Sequence, residues 1–229
     1  MGSDKRSGDW VDHITDRYGF SWALCRCEQC GLEWQRDPLT PEARRWFYGS
    51  GEYRRLCEQV TGKPWTDVNY LVGEQMRYRD HWQARFDAMR PGRVLDFGGS
   101  TGIVSELQAL RHHWHRTIAD YGDGATITPE EAIAIGRREP YDAIICAQTF
   151  DHLPNPLEIA QTFLAMCKPN GTLFIDVVKH GQTAKKIDHD TYWPSVSCFV
   201  GCLERAGWTI QWVDTETDPV HIAVGAVKR

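Results

Sequence analysis

Apolar and polar residues follow two different regimes along this chain. Up to about residue 40 there is no helical period, and Cys25, Cys27, Cys30, Gly31 and Pro38 interrupt the pattern, which reads as short strands and turns around a knuckle. Thr40-Pro41-Glu42-Ala43 marks a helix start, with a hydroxyl cap, a proline in the first turn and then an acid. Residues 41–60 read as two short helices broken at Gly49-Ser50-Gly51, and a longer amphipathic helix runs from about Val68 to Met89, with Leu71, Met76, Trp82 and Phe86 as candidate apolar positions.

From residue 92 the pattern becomes regular. Arg93 to Phe97 is a short strand ending in a Gly-rich turn, and a helix follows from Thr101 to about His112, with Ile103, Leu107 and Leu110 on one face. Arg116 to Asp120 is a weak strand, Thr128-Pro129-Glu130-Glu131 opens a helix over 129–138, and Tyr141 to Gln148 is a continuous apolar run of the kind buried on both faces of a parallel sheet. A helix at Pro156–Met166, a turn at Lys168–Gly171, a strand at Thr172–Val178 and a helix at Pro194–Ala206 ending at Gly207 complete the alternation. Two closing strands, Trp208–Val213 and Val220–Val227, lie close enough to form an antiparallel hairpin. The alternation predicts an α/β fold with a doubly wound, mostly parallel sheet, an antiparallel C-terminal hairpin and a small N-terminal lobe. The boundaries expected are 1–66 for the lobe and 67–229 for the main domain.

Composition narrows the function. Of 229 residues, 41% are hydrophobic and 25% charged, and the net charge of −5 disfavours the basic face that nonspecific nucleic-acid binding requires. No apolar run approaches the roughly 20 residues of a membrane helix. The N-terminus has no secretory core, so the eight cysteines read as reduced thiols or metal ligands of a cytoplasmic protein.

Three motifs carry chemistry. Val94-Leu95-Asp96-Phe97-Gly98-Gly99-Ser100-Thr101-Gly102 joins a strand to a helix at a place where glycines admit a ligand to the backbone and the helix start offers free N–H groups. Asp120 ends the next strand, 24 residues beyond Asp96, where a carboxylate can accept both ribose hydroxyls of a nucleoside cofactor. Tyr141 to Pro156 then places Asp151-His152 past the end of the next long strand. A tight turn without a ligand, and an ordinary strand-end aspartate, are the plain structural readings of the first two.

In order, VLDFGGSTG, IADYG, YDAIICAQTFDHLPNP and CKPNGTLFIDV resemble the class I S-adenosylmethionine-dependent methyltransferases, and the resemblance runs from about residue 68 to 229. It implies a cofactor site of Asp96, Phe97, Gly98, Gly99, Ser100, Gly102, Asp120, Tyr121 and Gln148, and methyl transfer to a small-molecule acceptor; His152 and His180, which follow the ends of two successive strands, are the candidates for proton transfer, and the family's pair at the position of Asp151-His152 is often structural. Tyr192 and His189 stand just before the helix that often covers the acceptor side. The N-terminal part resembles a subset with a zinc-ribbon-like lobe, through Cys27-Glu28-Gln29-Cys30-Gly31-Leu32, Pro41-Glu42 and Tyr48 to Tyr53-Arg54. Those relatives commonly methylate sugar nucleotides or other small molecules. Their first Cys pair is replaced here by His13-Ile14-Thr15-Asp16, so the resemblance implies a zinc site of His13, Asp16, Cys27 and Cys30. Two departures stand out. Ser100 replaces the middle glycine of the loop, and the 22 residues from Asp120 to Asp142 hold one helix and at most a stub of strand at Ala125-Thr126-Ile127. Both departures keep open a rival reading, a catalytically inactive S-adenosylmethionine-binding module or partner subunit. A nicotinamide-dependent oxidoreductase lacks the required G-x-G-x-x-G turn.

Overall fold

A computed structural model describes residues 9–15, 21–27, 32–35, 39–89, 92–122, 124–179, 192–218 and 220–229. In chain order the elements are β1 (Asp9–Thr15), β2 (Ser21–Cys27), β3 (Glu33–Gln35), α1 (Pro41–Gly49), α2 (Glu52–Thr61), α3 (Val68–Asp87), β4 (Arg93–Phe97), α4 (Ile103–His112) and β5 (His115–Ala119). There follow α5 (Pro129–Arg138), β6 (Tyr141–Cys146), a single 3-10 turn (Phe150–His152), α6 (Pro156–Met166), β7 (Cys167–Val178), β8 (Tyr192–Trp193), α7 (Val196–Ala206), β9 (Trp208–Asp214) and β10 (His221–Lys228).

The main sheet has six strands in the order β5-β4-β6-β7-β10-β9. The first four are parallel, and β10 runs antiparallel to both β7 and β9, so the closing hairpin inserts its second strand beside β7. The chain moves outward from β4 to β5 and then crosses back to β6, which opens a crevice beyond the carboxyl ends of β4 and β6. In place of a third outer strand there is one parallel bridge, Ala119 to Ile127, as the short spacing requires. A second sheet, β1-β2-β3-β8, ties the N-terminal strands to the segment between β7 and α7.

Burial follows the apolar runs. Ala143, Ile144, Ile145 and Cys146 of β6 are fully buried, with Leu95, Phe163, Leu173 and Leu203 in the larger core and Trp82, Phe86, Val94 and Phe174 in the core beneath α3 and α4. Leu32 and Trp34 pack against the larger core. Caps match the chemistry read from the chain: Thr128 and Glu131 form a reciprocal capping box on α5, and Thr40 caps α1.

Several expectations shift. Met76 and Leu110 are exposed, because α3 and α4 turn Leu71, Trp82, Phe86 and Val104 toward the sheet instead. Helix α7 starts at Val196 behind a Ser195 cap rather than at Pro194. The turn at Lys168–Gly171 is a bulge inside β7: Tyr141 pairs with Cys167 and Ala143 with Thr172, so the residues between loop out, with Asn170 at φ 60°. The zinc set does not assemble. In the β1–β2 ladder His13 faces Ala23 and Cys27 faces Asp9, four residue steps apart, or about 13 Å along the strands, too far for one tetrahedral ion. Asp16 and Cys30 lie outside the described residues, and among those described no three His, Cys, Asp or Glu side chains could hold a metal. Among them, too, no helix is long and apolar enough to cross a membrane.

Candidate active site

The crevice is a cavity of about 420 Å³, within the usual range for small-molecule sites. One wall is the loop from β4 to α4. Gly98 has φ 75° and donates its N–H to the Ala119 carbonyl at 2.7 Å, and a side chain there would run into Thr149. At Gly99 a Cβ would lie 2.6 Å from the Asp96 carboxyl carbon. The two glycines thus keep open a cradle that a side chain would fill. Ser100 adopts φ 49°, the left-handed region where glycine is at ease, so the substitution is held under local strain. Its N–H donates to Asp120 Oδ2 at 2.7 Å and its hydroxyl accepts from Arg54 at 3.0 Å.

Asp96, Phe97, Gly98, Gly99, Ser100, Asp120, Tyr121, Gln148 and His152 all line the cavity. Gly102 does not: at φ 76° it caps α4, and its Cα faces Ile118, so it serves close helix–strand packing. Phe97 is nearly buried, with its ring 5.1 Å from that of Phe163, and so anchors the loop from below. His180 and His189 lie outside the described residues. Tyr192 is buried and donates its hydroxyl to the Phe150 carbonyl, a structural contact.

Charge in the crevice is arranged by burial. Desolvation pushes the Asp96 carboxyl up to about 6, against the Ser105 hydroxyl (2.6 Å) and the Arg116 charge that favour ionisation. Asp120 sits differently, accepting N–H bonds from Ser100, Tyr121 (2.6 Å) and Gly122 (3.1 Å). Tyr121 donates to Glu130 at 2.7 Å, and burial together with that bond raises its phenol to about 12. Gln148, at φ 50°, donates its N–H to Asp176 Oδ1 at 2.6 Å.

The rest of the wall is made by residues that the chain pattern did not single out as site residues: Arg44 and Tyr48 from α1, Tyr53 and Arg54 from α2, and Glu74, Gln75, Tyr78 and His81 from α3. Only the Tyr48…Tyr53-Arg54 spacing hinted at them. The Tyr48 hydroxyl is 2.8 Å from His152 Nδ1, and His152 Nε2 is 3.6 Å from Asp151 Oδ1. Asp151 is buried and accepts the Val178 N–H through its other oxygen at 3.0 Å. Helix α1 is docked over the crevice by Arg45–Glu130 at 3.1 Å and by Gly49, where a Cβ would stand 3.2 Å from the Tyr121 carbonyl.

A family model described as a methyltransferase domain matches residues 73–214, more than half of the chain. The chain belongs to this family. Its sheet is that of the class I S-adenosylmethionine-dependent methyltransferases, with the antiparallel closing strands. A ubiquinone biosynthesis O-methyltransferase of Pseudomonas putida (strain W619) is 26% identical over 159 residues, covering 62% of this chain and 61% of that one. The methyltransferase chain therefore spans about three fifths of the length of the curated relatives it matches. Two solved structures share its fold: the [4+2]-cyclase SpnF (TM-score 0.60, 14% identity, 83% of this chain and 97% of that one) and the magnesium protoporphyrin IX methyltransferase of Synechocystis PCC 6803 with bound SAH (TM-score 0.53, 16% identity, 81% and 97%).

One buried acid beneath the methyltransferase site makes a testable pH signature. Asp176 is fully buried, and desolvation raises its carboxyl to about 6, opposed by His221 and by the Gln148 N–H. The neighbouring Tyr78 hydroxyl also works against the rise, by hydrogen bonding to the carboxylate. Because the folded-state value lies above the unfolded one, the folded chain holds this proton more tightly. The resulting stability is full below the unfolded pKa, about pH 4, and is lost as pH rises through 6. Asp176→Asn keeps an acceptor for Gln148 and removes the charge. The variant should gain on the parent as pH rises from 4.5 to 7, by at most roughly 3 kcal/mol for a shift of about two units. Denaturant melts across that range check it, and a difference that does not change with pH would sink the assignment.

Proposed function

We propose that this chain transfers a methyl group from S-adenosylmethionine to a hydroxyl of a small-molecule acceptor. The observation that carries the reading is the Tyr48–His152 pair, which is backed by the buried Asp151 and lines the same cavity as the Gly98–Ser100 cradle and Asp120. In this reading Asp120 receives the ribose hydroxyls, and the loop N–H groups at the start of α4 face the amino-acid end. When bound, the cofactor supplies an electrophilic methyl on a sulfonium. The residues of the chain align the acceptor, exclude water and move one proton. Asp151 next to Nε2 favours the tautomer that leaves the Nδ1 lone pair toward Tyr48. The acceptor hydroxyl passes its proton to the Tyr48 oxygen while the Tyr48 proton passes to His152. The relatives' printed name, an O-methyltransferase, supports oxygen as the acceptor atom. A sugar or sugar-nucleotide acceptor, expected from the N-terminal resemblance, has no support among the relatives compared.

A second reading has its own observation. The strained Ser100 and an Asp120 carboxylate already engaged by three backbone N–H groups suit a chain that binds the cofactor and does not turn over. The fold is also that of a protein described as a cyclase, so architecture alone does not decide. Calorimetry with S-adenosylhomocysteine, followed by turnover of labelled S-adenosylmethionine on a panel of phenols and catechols, separates the readings. Binding with transfer is expected. Binding without transfer on every acceptor favours the second reading, and no binding of either sulfur compound overturns both.

A further inference from the structure

Helix α1 carries a cation that the proton relay does not use and that one backbone carbonyl only partly satisfies. Arg44 is buried to 8% exposure and lines the cavity. The Leu39 carbonyl accepts one of its N–H groups at 3.1 Å, and among the described residues no carboxylate pairs with it. Burial lowers its pKa from the ordinary arginine value, and the phenols Tyr48 and Tyr121 act against that shift. A guanidinium has five donors in a planar fork, so most of this one remains to be satisfied. None of its remaining donors is sealed in the protein, so they are open to the cavity, where a cation short of a counter-ion favours an anion.

The placement says which anion would complete it. Arg44 and Tyr48 are four residues apart on one helix and share a face, so the cation lies about one turn from the phenol that meets His152. The next arginine in the crevice, Arg54, is committed to the loop through Ser100 Oγ, with its Nη2 3.9 Å from the Cβ position of Gly122. Arg54 is therefore held by the loop, whereas Arg44 stands between Tyr121 at the cofactor end and Tyr48 at the relay, with no partner on the loop. We infer that the acceptor carries an oxyanion, a carboxylate or a phosphate, which the Arg44 fork grips while Tyr48 and His152 engage the reacting hydroxyl. The inference rests on the methyl-transfer reading for the role of that hydroxyl. The anion site itself stands on Arg44 alone.

The test titrates the full chain, with and without saturating S-adenosylhomocysteine, with 4-hydroxybenzoate, phenyl phosphate and neutral phenol. The anionic probes should bind about tenfold or more tightly than phenol. Which of the two binds better identifies the oxyanion. Arg44→Met should erase that preference while S-adenosylhomocysteine affinity stays within about twofold, and Arg44→Lys should keep part of it, since the charge remains and the fork is lost. Equal binding of phenol and the anions by the parent chain overturns the inference without any variant. So does a preference that survives in Arg44→Met, or a tenfold loss of S-adenosylhomocysteine affinity in that variant with the anion preference intact. Failure of the parent chain to bind S-adenosylhomocysteine would instead refute the methyl-transfer reading, and the titrations without it would still decide the anion site.

Discussion

His152→Ala should lower kcat by about 10²- to 10⁴-fold, the usual worth of a positioned general base, with little change in the KM for S-adenosylmethionine. The split follows from the geometry. His152 touches Tyr48 and Asp151, whereas the loop hydrogen bonds involve Ser100, Asp120 and Arg54. Tyr48→Phe removes the hydroxyl that meets Nδ1 and retains the ring contacts with Tyr53 and His152, so it should cost less, about 10- to 100-fold. Added imidazole should restore part of the activity of His152→Ala and none of that of Tyr48→Phe, because only the first leaves an imidazole-sized gap. Initial rates at saturating cofactor measure all three. A kcat for His152→Ala within threefold of the parent's would remove His152 from the reaction and leave the relay as packing.

The architecture was legible because it rests on local pattern. The unbroken apolar run of β6, the capping box at Thr128 and the glycines at 98 and 102 each state a local requirement, and each is met where it was read. The shortened middle was legible from arithmetic alone, since 22 residues cannot hold a helix and a full strand. The crevice wall contributed by α1 was not. Gly49 reads along the chain as a helix breaker, yet its missing side chain is what lets α1 rest on the Tyr121 carbonyl. That docking brings Tyr48 to His152 across 104 positions, a long-range contact that no periodicity announces. The zinc set failed for the complementary reason. Residue types matched the ligands, but the ladder register keeps His13 and Cys27 apart.

Asp120→Ala should weaken S-adenosylhomocysteine binding by about 100-fold, the combined worth of two charge-assisted hydrogen bonds to ribose hydroxyls. It should also lower the melting temperature of the free chain, because the N–H groups of Ser100, Tyr121 and Gly122 lose their acceptor. These two effects have different causes, and affinity alone would confuse them: a collapsed loop also binds poorly. The 2′-deoxy analogue of S-adenosylhomocysteine separates them. A carboxylate that contacts the 2′-hydroxyl makes the parent chain prefer the ribose compound by about tenfold, and Asp120→Ala should show no such preference. A carboxylate that only organises the turn would weaken both ligands equally in the variant and leave their ratio at the parent's value. That second pattern would confine Asp120 to holding Ser100 in its strained conformation and would move the ribose contact elsewhere in the crevice.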